Sequence, residues 1–236
     1  MTKKGINYIW FDLGYTLLYL KREDLFLKVI APKVESLPSW ETVTLAFHLA
    51  DKLFMREYPG VLGSDKDTYI PWYFGFIFHY LKMKVNLCKF SEEWKKATGS
   101  PLDAWHLCPG AKETLSLLKG RGLSLGIISN WDKSARPILS KLGILNFFNT
   151  VIISSEEGIA KPSREIFERA LEKSGAKADT SLYVGDNYYD DAVGSSKVGM
   201  DAVIINRYGS VGIEELSGTT IIENIRELPD LVNNLL

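Results

Sequence analysis

Five near-continuous apolar runs punctuate the chain, and each stops on a polar residue. The run at 6–11 stops at Asp12, 123–128 at Ser129 and Asn130, 150–153 at Ser154, 182–184 at Gly185 and Asp186, and 202–205 at Asn206. Runs of this length predict strands covered on both faces, as in a parallel sheet. Segments of helical period lie between them. Residues 111–119 place Leu115 and Leu118 on one face and stop at Gly120 and Gly122. Residues 133–142 stop at Gly143, and 162–173 open with Pro162 at the first helical position and stop at Gly175. Strand and helix alternate from Gly110 onward, which predicts right-handed βαβ units. The expected fold is α/β, a Rossmann-like parallel sheet core flanked by helices.

Residues 19–105 have another texture. Helical, aromatic-rich segments at 25–29, 42–58, 69–81 and 91–97 follow one another, and no strand is expected there. The first strand then belongs to the later sheet, and 19–105 is an inserted α-helical domain in a core made of 1–18 and 106–236. Trp72, Tyr73, Phe74, Phe76, Phe78 and Tyr80 are assigned mainly to the core of the insertion.

Composition narrows the function classes. An apolar fraction of 46% excludes intrinsic disorder, and 28 basic against 29 acidic residues leave no electrostatic footprint for nucleic acid. Cys88 and Cys108 sit in no zinc-binding spacing and read as small buried thiols. Met1–Thr2–Lys3–Lys4 and the apolar run behind them resemble a signal peptide, but Asp12 ends the run early and no small-residue cleavage site follows. The aromatic stretch at 69–81 is too short to span a bilayer. These features predict a cytoplasmic protein with no nucleic-acid or membrane partner.

Ligands of an open parallel sheet bind beyond the carboxyl ends of its strands. Asp12, Ser129, Asn130 and Asp186 stand at such ends, and Lys161 precedes a predicted helix. Two carboxylates, a hydroxyl, an amide and an ammonium suit phosphoryl transfer with a divalent metal. Asp12 and Asp186 would hold Mg²⁺, a hard cation that takes oxygen ligands. The metal and Lys161 would neutralise the phosphoryl oxygens while Asp12 attacks phosphorus to give an aspartyl-phosphate. Each residue alone has an ordinary reading: Asp12 a turn former, Ser129 and Asn130 helix caps, Lys161 a solvated charge. The ordered foursome favours the chemical reading.

Phe11-Asp12-Leu13-Gly14-Tyr15-Thr16-Leu17, Ile128-Ser129-Asn130, Lys161-Pro162 and Val184-Gly185-Asp186 with Asp190-Asp191 resemble, in order and spacing, the four motifs of the haloacid dehalogenase-like hydrolase superfamily. The insertion resembles its helical C1 cap, a mobile lid that sets specificity. The resemblance implies Asp12 as nucleophile and metal ligand, the Gly14 carbonyl as a second ligand and Asp186 as a third. It also implies Thr16 supporting the loop, Ser129 and the Asn130 backbone binding phosphate, and Lys161 pairing with phosphate and nucleophile. Asp191 would sit behind Asp186, with Asp190 a solvated neighbour.

One departure matters. The family's phosphatases usually carry, two positions after the nucleophile, an Asp that acts as general acid and base; here Gly14 stands there. Asp132 is a candidate substitute, though N-capping of the helix at 133–142 is the simpler role. The leading expectation is a Mg²⁺-dependent phosphatase of small phosphorylated metabolites. An L-2-haloacid dehalogenase would use Asp12 without metal, against which Gly185-Asp186 is intact. A binding protein without turnover has only Gly14 in its favour.

Overall fold

The computed structural model describes residues 5–63 and 66–234. Residues 1–4, on which the signal-peptide resemblance rests, lie outside the described residues. The chain divides into two compact units, residues 1–19 with 105–236, and residues 20–104.

The first unit is built on a six-stranded sheet. Its strands are β1 (Tyr8–Phe11), β4 (Ser124–Ser129), β5 (Thr150–Ile153), β6 (Ser181–Gly185), β7 (Asp201–Ile205) and β8 (Thr220–Ile222), in the order β5-β4-β1-β6-β7-β8. Every pairing is parallel. Alternation across β1 explains its unbroken apolar run. Ile9 and Phe11 enter one hydrophobic cluster with Leu125, Ile127 and Val184, while Tyr8 and Trp10 enter another with Ile152, Phe167 and Tyr183. Full burial of Ile9 or Phe11 stabilises the sheet by about 1.5–3 kcal/mol each. Tyr8 and Trp10 stack at 4.4 Å, and Gly126 on β4 makes the room: a Cβ there would lie 2.4 Å from the Trp10 ring.

Register brings the strand ends together. Phe11 is paired with Ile127 on one side and Val184 on the other. The residues just beyond, Asp12, Ser129 and Asp186, therefore share one edge of the sheet, with β1 in the middle.

Four expectations are corrected. Two short strands, β2 (Leu18–Leu20) and β3 (Trp105–Leu107), form a two-stranded sheet, so the limits of the supposedly strand-free 19–105 carry strand. β8 was not expected, because its three residues give too short an apolar run. Pro162 does not open a helix: Ser163 is the N-cap, its hydroxyl accepting from the Glu165 amide, and the helix is Arg164–Ser174. Cys88 is exposed and Cys108 only half-buried, so neither is a fully buried thiol.

The second unit is helical: α1 (Arg22–Ile30), α2 (Trp40–Glu57), α3 (Lys66–Tyr80) and α4 (Leu87–Ala97). Ser39 caps α2 by accepting from the Thr42 amide, and Asn86 caps α4 by accepting from Lys89. Phe26, Phe47, Phe74 and Phe90 meet at its centre, with Phe74 and Phe90 centroids 4.8 Å apart. Tyr73, Phe74 and Phe78 of the aromatic stretch are buried there, and Trp72 is exposed. Arg22, Asp51 and Tyr73 form a polar knot beside Phe47, the Tyr73 hydroxyl donating to Asp51 at 2.6 Å. Among the described residues, no helix is long and apolar enough to cross a membrane.

Candidate functional site

Asp12 extends the ladder of β1 by one bond, its amide donating to the Val184 carbonyl at 2.9 Å. That fixes its carboxyl at the sheet edge. Oδ1 accepts from the Ser129 hydroxyl at 2.8 Å and from the Lys161 ammonium at 2.7 Å. The loop behind it turns tightly. Leu17 and Leu18 both donate to the Leu13 carbonyl, and Tyr15 takes a left-handed φ of 50°. Thr16 is buried in this turn, and its hydroxyl has no partner among the described residues.

Lys161 is buried among acceptors. Its ammonium donates to Asp12, to Asp191 Oδ1 at 2.6 Å and to the Tyr183 hydroxyl at 3.0 Å. Burial alone pulls an ammonium down, but Asp12, Asp191 and Tyr183 together push Lys161 well above its ordinary range, so it is charged. Asn130 fixes the backbone at the same residue: its Oδ1 accepts from the Lys161 amide at 2.7 Å and its Nδ2 donates to the Lys161 carbonyl at 2.9 Å. Expected to act through its backbone, Asn130 thus has a side-chain role as well.

The second carboxylate group hangs on one π-helical turn, Tyr188–Ala192, following β6. Asn187 caps it, accepting from the Tyr189 and Asp190 amides. Asp191 is completely buried, with Oδ2 accepting from the Asn187 amide at 3.0 Å. Burial raises its carboxyl; Lys161 opposes the rise and Asp12 adds to it. Gly185 is required for this arrangement, since a Cβ there would stand 2.0 Å from Asp191 Oδ2. Asp190 is not the solvated neighbour expected. It is buried, its Oδ2 accepts from Asn187 at 3.0 Å, its Oδ1 has no partner among the described residues, and burial pushes it up to about 6.

Oxygens of Asp12, Asp186 and Asp191 lie within 4.8 Å of one another. Three buried carboxylates face one ammonium, Lys161, a balance two charges short of neutral. Buried charge must be compensated, and an all-oxygen donor set suits a hard divalent cation. These residues therefore fit Mg²⁺.

The flank at Gly14 is aromatic. A Cβ on Gly14 would rest 3.7 Å from the Trp131 ring, whose centroid lies 4.6 Å from that of Trp105. The Trp131 indole N–H donates to Ser134 and its amide to the Ser154 hydroxyl. Asp132 is exposed and accepts from the Ser134 amide at 2.7 Å, forming a turn ahead of the helix Ala135–Lys141. The helix N-cap is Ser134, so Asp132 does not hold the capping position expected of it.

Asp12, Ser129, Asn130, Lys161 and Asp191 are thus linked by hydrogen bonds, with Asp186 in the carboxylate cluster, while Thr16 lies in the adjoining turn. Tyr183 and the Asn130 side chain are the partners that sequence reasoning missed. Tyr183 had one signal: it is the polar-tipped residue in the short apolar run at 182–184, and a buried phenol needs a partner.

The family model for haloacid dehalogenase-like hydrolases matches residues 55–205. A glyceraldehyde 3-phosphate phosphatase of Pyrococcus furiosus is 32% identical over 178 residues, 69% of this chain and 70% of that one. A protein of the same name from Methanothermobacter thermautotrophicus is 39% identical over 104 residues, 42% of this chain and 44% of that one. The matches to the first curated relatives span about half of those proteins' length. Among solved structures, the HAD-hydrolase YfnB of Bacillus subtilis, crystallised with magnesium, superposes with a TM-score of 0.67 at 20% identity, covering 98% of this chain and 100% of that one.

Proposed function

Because the chain belongs to the haloacid dehalogenase-like hydrolase family, we propose that it is a Mg²⁺-dependent phosphatase of small phosphorylated metabolites, acting in the cytoplasm through an aspartyl-phosphate on Asp12. The observation that carries this reading is the hydrogen-bonding of Asp12. Ser129 and Lys161 both donate to Oδ1. Oδ2 is left as the more basic oxygen, and it is the one assigned to attack phosphorus.

Asp12 and Asp186, with the Gly14 carbonyl, would hold Mg²⁺. Bound there, the ion supplies positive charge against the phosphoryl oxygens. Asp191 backs the metal site and fixes Lys161, and the Lys161 charge offsets the anion that gathers as phosphorus is transferred. Ser129 and the Asn130 backbone contact the phosphate, and Thr16 supports the loop. Hydrolysis of the acyl-phosphate on Asp12 then returns the carboxylate. Gly14 provides no acid for the departing oxygen. The helical unit, residues 20–104, is assigned as the cap that selects the substrate, and glyceraldehyde 3-phosphate, named for the relatives, is the first compound to try.

Phosphate release from a panel of phosphate esters tests the reading. Asp12→Asn is nearly isosteric and should leave the fold intact while abolishing turnover. Chelator should silence the parent protein and Mg²⁺ should restore it. Substantial hydrolysis by Asp12→Asn would remove that residue as nucleophile. Chloride release from 2-chloropropionate in excess chelator would establish a dehalogenase instead.

A further inference from the structure

Three rings stand beside the nucleophile loop, all in the first unit. Trp131 directly follows Asn130. The Trp105 centroid lies 4.6 Å from that of Trp131 and 6.3 Å from that of Tyr15, edge-on to the latter. All three residues are half-buried. The tryptophans rest on the sheet core, and part of each stays exposed. Tyr15 holds its left-handed φ of 50° in the turn after Asp12, a conformation that costs a bulky residue free energy.

Trp131 is fixed at each polar group. Its indole N–H donates to the Ser134 hydroxyl at 3.1 Å, its amide to the Ser154 hydroxyl at 3.0 Å, and its carbonyl accepts from the Ser155 amide at 3.3 Å. With the N–H committed, the ring offers carbon and π-surface and no proton. It stands where a side chain on Gly14 would set out, 3.7 Å from the Cβ. On the flank from which an acid would approach the departing oxygen, the protein has an aromatic ring.

We propose that Trp131, backed by Trp105, is a specificity residue that receives the departing group by ring contact, and that the substrates are aryl phosphate monoesters. The inference rests on the phosphatase reading above and narrows it. Two independent features agree. Gly14 supplies no proton, so the ester must release a stable anion, and the ring beside it favours a flat, apolar leaving group. As the bond from Asp12 Oδ2 to phosphorus forms, the ester P–O bond breaks. The aryloxide leaves with the electron pair and takes its proton from solvent.

The test separates ring contact from leaving-group acidity. Phenyl phosphate is compared with hexafluoroisopropyl phosphate, whose alcohol is of comparable acidity but has no ring, by kcat/KM. Phenylphosphonate is compared with methylphosphonate, neither hydrolysable, by calorimetry in Mg²⁺. In the parent the phenyl member of each pair should be favoured about tenfold, the order of one aromatic contact. Trp131→Leu should bring both preferences close to unity while inorganic phosphate binds as in the parent; Trp131→Phe, which keeps a ring, should retain most of each. A purely structural role would weaken both members of a pair equally and leave the ratios unchanged. Independently of any variant's folding, NMR saturation of the Trp131 ring protons in the parent should transfer to the phenyl protons of phenylphosphonate. Parent ratios near unity, ratios that Trp131→Leu leaves unchanged, or absent saturation transfer would overturn the aryl assignment and leave the phosphatase reading standing. A parent that neither hydrolyses phosphate esters nor binds phosphate overturns both.

Discussion

Asp190→Asn should make the metal-free protein more stable relative to its parent as pH rises. Asp190 is buried, one of its oxygens has no partner among the described residues, and burial lifts its carboxyl from 3.8 to about 6. A raised folded-state pKa stabilises the protein while the group is protonated. That contribution is complete below about 3.8 and is lost as pH climbs through about 6. A tenfold change in proton affinity corresponds to about 1.4 kcal/mol, so the parent loses about 3 kcal/mol across this window. The amide does not titrate. Its oxygen can still accept from Asn187, and its NH₂ replaces the partnerless oxygen at a pH-independent cost of about 1–3 kcal/mol. Between pH 4 and pH 7.5 the stability difference should therefore move by about 2.5 kcal/mol in favour of the variant. Urea unfolding in excess chelator, repeated at half-unit steps of pH, measures it. A difference that stays flat across this range would refute the argument, because Asp190 would then titrate alike in the folded and unfolded chains.

Two further outcomes follow from glycines. Gly185→Ala places a Cβ 2.0 Å from Asp191 Oδ2 and must push that carboxylate off Lys161; a loss of about 3–5 kcal/mol is expected, with weaker Mg²⁺ binding by calorimetry, and parent-like values for both would show that the turn gives way freely. Gly14 leaves the departing oxygen without an acid, so cleavage in the parent should depend steeply on leaving-group pKa, aryl and acyl phosphates reacting well ahead of alkyl ones. Gly14→Asp should speed the alkyl esters preferentially, by up to about 10²–10⁴-fold, since its Cβ makes only ordinary contact with Trp131; a flat dependence in the parent would point to another donor, with Asp132 the first to mutate.

The sheet was legible because its strands are covered on both faces. The apolar runs ending at Asp12, Ser129 and Asp186 needed no alternation to be recognised, and their polar stops fell at one sheet edge. β2, β3 and β8 were not legible: three residues carry too little pattern, and their pairing depends on which distant segment comes alongside. The start of the helix at Arg164 was missed because Pro at a first helical position is favoured on average, whereas here the Ser163 hydroxyl takes the capping bond. Asp190 and Asp191 differ for a reason no sequence spacing reveals. Both are drawn inward on a π-helical turn, but only Asp191 reaches Lys161. Tyr183 was hidden for the converse reason, since a tyrosine inside an apolar strand reads first as core.

The central position of β1 also bears on synthesis. Tyr8–Phe11 leaves the ribosome well ahead of its neighbours, β4, starting at Ser124, and β6, starting at Ser181. At about 5–20 residues per second, roughly 8–35 s separate the emergence of β1 from that of its second neighbour. For that interval an uncharged, aromatic strand has no partner and could pair with other nascent copies. Lys3 and Lys4 precede it in the sequence and Asp12 follows it directly, the flanking charges that oppose such pairing. The residue assigned to attack phosphorus thus has an earlier duty as a gatekeeper, guarding a sticky strand until the sheet closes around it.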